Sequence, residues 1–239
     1  MINVTVWEEY MQSRDEAPVK ALYPKGIHEY IAGFLRADSE FNVCTANLHQ
    51  PQEGLPPDVL DNTDVLLWWA HVAHEKVSDE TVRRIHERVL KGMGVVFLHS
   101  AHMAKPFVSL MGTSCTLKWR DGDKEILWVT APQHPIMAGV GDRVVLEEEE
   151  MYGEFFDIPT PDELIMLGWF SGGELFRSLC TWRRGYGKVV YFQPGHESNP
   201  TYHHPEIQKI INKAVHWVYT PKRLEVLDCP HAVIPARDM

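Results

Sequence analysis

The sequence predicts an α/β fold: a doubly wound, mainly parallel sheet with helices on both faces and a strand-rich second half. Three observations carry this expectation. Residues 64–70 (Asp-Val-Leu-Leu-Trp-Trp-Ala) and 94–98 (Gly-Val-Val-Phe-Leu) are continuous apolar runs of the kind buried on both faces of a parallel sheet. Amphipathic stripes separate the strand-like runs. Strand and helix patterns alternate over the first hundred residues, which implies right-handed crossovers.

Residues 2–7 form a first β-branched strand, and the polar stretch onward to Pro24, with Glu8, Tyr10, Gln12, Ser13 and Arg14, is expected to be an exposed loop. After Gly26, the apolar positions Ile27, Tyr30, Ile31, Phe34 and Leu35 follow a helical stripe, and residues 41–48 are again β-rich. Pro51, Gly54, Pro56 and Pro57 mark residues 50–57 as loop before the strand at 64–70. Ser78 stands as an N-cap ahead of Asp79 and Glu80, and Val82, Ile85 and Val89 keep helical spacing until Gly92 stops the helix. Beyond Gly112, residues 114–120, 125–130, 143–146, 164–170, 175–182 and 188–193 are short strand candidates. They suit an antiparallel extension, a second small sheet, or late strands of the main sheet. Pro205 opens a last helix with an apolar stripe of Ile207, Ile210, Ile211, Ala214, Val215 and Val218. One domain is expected over residues 1–220, followed by an extended arm over 221–239.

The 239 residues are 44% hydrophobic, enough for a sizeable core. The net charge is −10 and no run of Lys or Arg exceeds a pair, so no basic stripe exists for phosphates and nucleic acid is not expected as a partner. Cys44, Cys115, Cys180 and Cys229 are scattered, with no C-x-x-C pair, as reduced thiols would be. No apolar stretch approaches the roughly 20 residues of a membrane span, and the first residues lack a signal-peptide pattern. The expectation is a cytoplasmic protein without a membrane partner.

In open α/β sheets ligands bind outside the carboxyl ends of the strands. The run at 64–70 leads into His71 and His74, and the run at 94–98 into His99, Ser100, Ala101 and His102. Imidazole serves both neutral-pH proton transfer and transition-metal ligation. His99 is the leading candidate; His74 and His102 either face the site or pack beneath the following helix. Ser100 lacks both glycines of the G-x-S-x-G elbow, and no cysteine stands there for thiol chemistry. Glu147–Glu150 reads as a solvated strand end in which alternation points two carboxylates inward, with the Tyr152 phenol beside them. Gly185-Tyr186-Gly187 precedes a strand, the wrong context for a phosphate loop, so no nucleotide cofactor is indicated. His196, in Gly195-His196-Glu197, falls at the exit of the strand at 188–193. His203 and His204 belong to a helix entry, and His86 and His216 to helix interiors.

Several segments together, His28 in the first helix, residues 64–70, 92–101, His134-Pro135-Ile136, Glu149-Glu150-Met151-Tyr152, residues 182–191 and Gly195-His196, resemble the ThuA-like family of trehalose-utilisation proteins. That family's fold is similar to class I glutamine amidotransferases, which are flavodoxin-like. The resemblance implies a flavodoxin-like core with His99 where an amidotransferase holds its cysteine. It also implies a pocket lined by His28, His99, Glu150, Tyr152 and His196, with His134 a further member. The chain departs from the family in a long loop after the first strand and in Leu98, which stands where a glycine is usual.

The expected function is a small-molecule enzyme of carbohydrate metabolism acting on a sugar or keto-sugar. His99, Glu150, Tyr152 and His196 are the catalytic candidates, and His28, His71, Ser100 and His134 the substrate-binding ones. A divalent transition metal such as Zn²⁺, held by His28, His99 and His196, is the metal-assisted form of the same reading. The competing reading is a non-catalytic sugar-binding or regulatory protein, which eight tryptophans would suit, although Trp68 and Trp69 read as core. Exposed sheet edges suggest a homo-oligomer.

Overall fold

The computed structural model describes residues 1–228 together with Ile234 and Arg237. Cys229 and part of the arm expected over 221–239 lie outside the described residues. A nine-stranded sheet forms the body, in the order β2-β1-β3-β4-β9-β8-β7-β5-β6. Its parallel half comprises β1 (Ile2–Glu8), β2 (Phe41–Asn47), β3 (Val65–Trp69), β4 (Gly94–Leu98) and β9 (Gly187–Phe192). Its antiparallel half comprises β5 (Lys118–Val129), β6 (Arg143–Gly153), β7 (Glu163–Phe170) and β8 (Leu175–Arg184). The strand-rich second half is therefore an antiparallel extension of the same sheet, and the last strand returns to pair with β4.

Period-two alternation sorts the strands onto two cores. Val4, Val6, Leu67, Trp69, Val96 and Leu98 face one side, under α3 (Ile27–Leu35) and α7 (Pro205–Val218). Trp7, Leu66, Trp68, Val95 and Phe97 face the other, under α5 (Asp79–Leu90) and α6 (Lys105–Met111). Trp7 and Trp68, neighbours across β1 and β3, stack with centroids 3.7 Å apart. Ser78 caps α5 by accepting the Thr81 N–H at 3.3 Å, and the apolar stripe of α7 is buried as its spacing requires.

Three expectations need correction. The stretch after β1 is not an exposed loop but folds into α1 (Gln12–Asp15) and α2 (Ala17–Leu22), with Glu8, Glu9, Gln12 and Ser13 buried. Its polarity serves internal hydrogen bonds: Glu9 accepts the N–H groups of Val72 and Ala73, both at 2.8 Å. The loop expected at 50–57 ends one residue sooner, because Pro57 opens α4 (Pro57–Asn62); within it Gln52 and Glu53 turn through positive φ. The strands expected at 114–120 and 125–130 are one strand, β5, whose register against β6 shifts around Asp123. Such a bulge bends a strand and increases its twist.

That bend brings the hairpin to the site. Glu125–Trp128 pair with Arg143–Leu146, while the other end of β6 lies against the exits of β4 and β9: Gln193 Nε2 donates to Glu150 O at 3.1 Å and Ser100 Oγ meets Tyr152 at 2.7 Å. The acidic run is thus a solvated strand end only in its first half, and the two inward carboxylates are consecutive instead of alternate. Glu147 and Glu148 are exposed, whereas consecutive Glu149 and Glu150 are both buried because both faces of the bent end are covered.

Candidate functional site

Three adjacent parallel strands deliver the central side chains. β3 ends two residues before His71, β4 immediately before His99, and β9 four residues before His196. β6 supplies Glu150. Among the described residues, His71, His99, Glu150 and His196 each offer one ligating atom, and these atoms lie within 4.8 Å of one another.

His99 forms the elbow. Its φ of +54° is a left-handed conformation costing a non-glycine residue of order 1 kcal/mol or more. The surroundings hold it there: Tyr191 OH donates to His99 O at 3.0 Å, and the ring lies nearly parallel between Trp69 and Tyr152, with centroids at 6.4 and 5.4 Å. Nδ1 sits 3.1 Å from the Gln193 carbonyl, which only accepts, so Nδ1 carries the hydrogen. Nε2 then faces Glu150 Oε2 at 3.1 Å.

The electrostatics favour positive charge at that point. Burial opposes charging His99, but the hydrogen-bonding and charge of Glu150, helped by Glu149 and Glu197, outweigh it and raise its pKa above the ordinary value. Burial likewise works against the Glu150 carboxylate, and contact with His99 together with the His196 and His71 charges overcomes it, bringing the group down to about 2. His196 is lowered by burial and by its imidazole neighbours. Burial takes His74 and His102 down to about 4, so both are neutral at pH 7, and it raises the Tyr152 phenol well above its usual range. His99 Nε2 and Glu150 Oε2 form a close ion-pair contact. Both atoms and Glu197 Oε2 are buried without a hydrogen-bond partner.

Above this floor opens a cavity of about 480 Å³, lined by His71, His74, Ser100, His102, Glu150, Tyr152 and His196, with Met103, Trp119 and Asp121 toward the rim. Trp119 is 63% exposed. His102 both lines the cavity and packs beneath it, placing Nδ1 2.8 Å from Cys115 O.

The expected residues divide accordingly. His99, Glu150, Tyr152, His196, His71 and Ser100 meet around the cavity. His28 lies outside the four-residue cluster, at the exit of β1, where its ring and backbone N–H are held by Glu8. His71 stands in the place expected for His28, because β3 and not β1 adjoins β4. His134 is at the opposite end of the sheet: it caps a short 3₁₀ turn, and its ring lies 5.1 Å from Trp217, whose carbonyl accepts from Lys188 near the start of β9. Sequence reasoning missed Glu197, whose Oε2 is 2.9 Å from His71 Nδ1, and Gln12, whose amide donates to Glu197 Oε1 at 2.7 Å. Adjacency to His196 at a strand exit was a usable signal for Glu197. Gln12 offered none, since its partner is 185 residues away.

Cys115 and Cys180 are buried, and desolvation takes their thiols up to about 11 and about 12, so neither supplies a thiolate. No helix among the described residues is long and apolar enough to cross a membrane.

The family model described as ThuA, trehalose utilisation, matches residues 3–218. No curated protein matches the chain. Among solved structures, a ThuA-like protein of Parabacteroides merdae superposes with a TM-score of 0.68 at 17% identity, covering 95% of this chain and 92% of that one. A cytoplasmic protein of Salmonella typhimurium gives 0.63 at 13% identity over 90% and 98% of the two chains. PurLQS of Thermotoga maritima gives 0.54 at 8% identity over 90% and 98%. The fold is accordingly of the flavodoxin and glutamine amidotransferase type.

Proposed function

Because the chain belongs to the ThuA family of trehalose-utilisation proteins, we propose that it is an enzyme of carbohydrate metabolism that acts on a sugar or keto-sugar bound over His71, Glu150 and His196. The observation that carries this reading is the cavity floor. Imidazoles and a carboxylate converge at the carboxyl edge of the parallel strands, with a histidine at the elbow. No thiol stands at the elbow and Ser100 Oγ is engaged with Tyr152, so this reading rests on the imidazole and carboxylate groups and not on a nucleophile. Paired imidazole and carboxylate groups suit polarisation of a carbonyl and proton transfer beside it. The exposed Trp119 face and the Asp121 carboxylate at the rim suit the apolar faces and hydroxyls of a pyranose.

The test is a panel of aldoses, disaccharides and their keto derivatives followed by NMR for product. Turnover by the wild type, reduced at least about 100-fold in His196→Ala, supports the reading. Binding without turnover of any member would make the cavity a carbohydrate receptor instead of an active site.

A further inference from the structure

The floor of the cavity has a chemical imbalance that the chain itself does not resolve. His99 Nδ1 is committed to the Gln193 carbonyl at 3.1 Å, which leaves Nε2 of the neutral ring as a lone pair. It lies 3.1 Å from Glu150 Oε2, in a place where the two side chains are 0% and 5% exposed. Two acceptors so placed repel unless a cation lies between them, and both atoms lack a hydrogen-bond partner.

The surroundings provide for a larger cation than a proton. His71 and His196 bring ring nitrogens to the same point, so the donor set is three imidazoles and one carboxylate. Each imidazole has an oxygen near its Nδ1: the Gln193 carbonyl on His99 at 3.1 Å, Glu197 Oε2 at ion-pair distance from His71, 2.9 Å, and Ser198 Oγ on His196 at 2.7 Å; Gln12 Nε2 also meets His71 Nδ1 at 3.0 Å and the Ser198 N–H donates to His196 Nδ1 at 3.3 Å. Oxygen partners on the remote nitrogens are the outer arrangement that orients metal-binding histidines, and the Gln193 carbonyl, which only accepts, also sets the tautomer of His99. A tetrahedral ion with bonds near 2.0–2.1 Å needs ligand atoms about 3.3 Å apart. The His99–Glu150 pair already meets that spacing, and the 4.8 Å limit on the set leaves the half-buried His71 and His196 to close in by about an ångström.

We propose that His71, His99, His196 and Glu150 form a binding site for one divalent transition ion of the Zn²⁺ type, with Glu197, Gln193 and Ser198 as its outer partners. Three imidazoles select such an ion over Mg²⁺ or Ca²⁺, which prefer oxygen ligands. The inference deepens the carbohydrate reading and shares its site: a bound ion there supplies Lewis-acid polarisation of an oxygen in the cavity.

The test is a titration of EDTA-treated, dialysed full-length protein with Zn²⁺ alone by calorimetry, and with Co²⁺ alone by visible absorption. One Zn²⁺ per chain with a Kd below about 1 μM, and cobalt bands of a low-coordinate site, are expected. His71→Ala and His196→Ala, folded by circular dichroism, should each weaken binding about 100-fold or more, and Glu197→Gln about 10-fold. His28→Ala should leave binding unchanged. Absence of binding tighter than about 100 μM, or equal affinity in the His71→Ala, His196→Ala double variant, overturns the assignment. No carbohydrate is present in the titration, so its failure leaves proton chemistry at His99 and Glu150 standing, and failure of the carbohydrate panel leaves the metal result standing.

Discussion

The carboxylate of Glu149 accepts the backbone N–H of His196 at 3.1 Å. The same fully buried side chain also takes Gly195 N–H at 3.0 Å, Glu150 N–H at 2.9 Å and Thr201 Oγ at 2.6 Å. The segment carrying His196 is therefore tied to β6 through one buried carboxyl group. Glu149→Ala leaves these donors without partners and should destabilise the protein by about 3–5 kcal/mol. Urea denaturation measures it, and a loss below about 1 kcal/mol would show that the tie is not needed.

Ser100 and Tyr152 connect the elbow to the bent hairpin through hydroxyls 2.7 Å apart, both buried. A double-mutant cycle with Ser100→Ala and Tyr152→Phe should return a coupling of about 0.5–1.5 kcal/mol. Strict additivity of the two variants would mean that the hairpin is positioned by packing alone.

Acid should weaken the fold through His102. Burial lowers this histidine to about 4 in the folded protein, against about 6.5 when unfolded. The unfolded chain therefore takes up a proton first as pH falls. Stability from this group is complete above pH 6.5 and is lost progressively down to pH 4, by an amount of order 3 kcal/mol. His74, also near 4, acts in the same direction. The unfolding midpoint of wild type and His102→Gln between pH 7.5 and 4 provides the check: the variant should show the shallower slope, and parallel curves would refute the assignment.

Gly187 opens β9 where a Cβ would stand 2.2 Å from Val89 O and 2.6 Å from Met93 O, both backbone atoms. Neither can move without displacing the end of α5. Gly187→Ala should cost about 2 kcal/mol or more, visible as a midpoint lowered by roughly 4–8 °C. Gly141, with nothing within 4 Å, is the control, and Gly141→Ala should leave the midpoint nearly unchanged.

Trp119 contributes little to the core and much to the cavity rim, since it is 63% exposed. Trp119→Ala should weaken binding of whichever carbohydrate the panel identifies roughly tenfold while shifting the melting point by less than about 2 °C. Unchanged affinity would remove the indole from the recognition surface.

The sequence by itself determined the first four strands of the parallel half of the sheet and the address of the site, while the parallel pairing of β9 with β4 came from the tertiary structure. Continuous apolar runs at 64–70 and 94–98 can only be strands covered on both faces, and the polar residues just past them, His71 and His99, fall at the carboxyl edge whatever the remaining chain does. Local periodicity also sufficed for α5 and α7, whose caps and stripes lie within a few residues of one another. The membership of the site was decided only by the tertiary structure. Strand order puts β3 beside β4 and so brings His71, not His28, to His99; the bulge in β5 bends the hairpin that presents Glu150 and Tyr152; and Gln12 meets Glu197 across 185 residues. These are contacts between segments distant in the chain, set by packing and by the need of buried polar groups for partners, and they leave no local pattern to read.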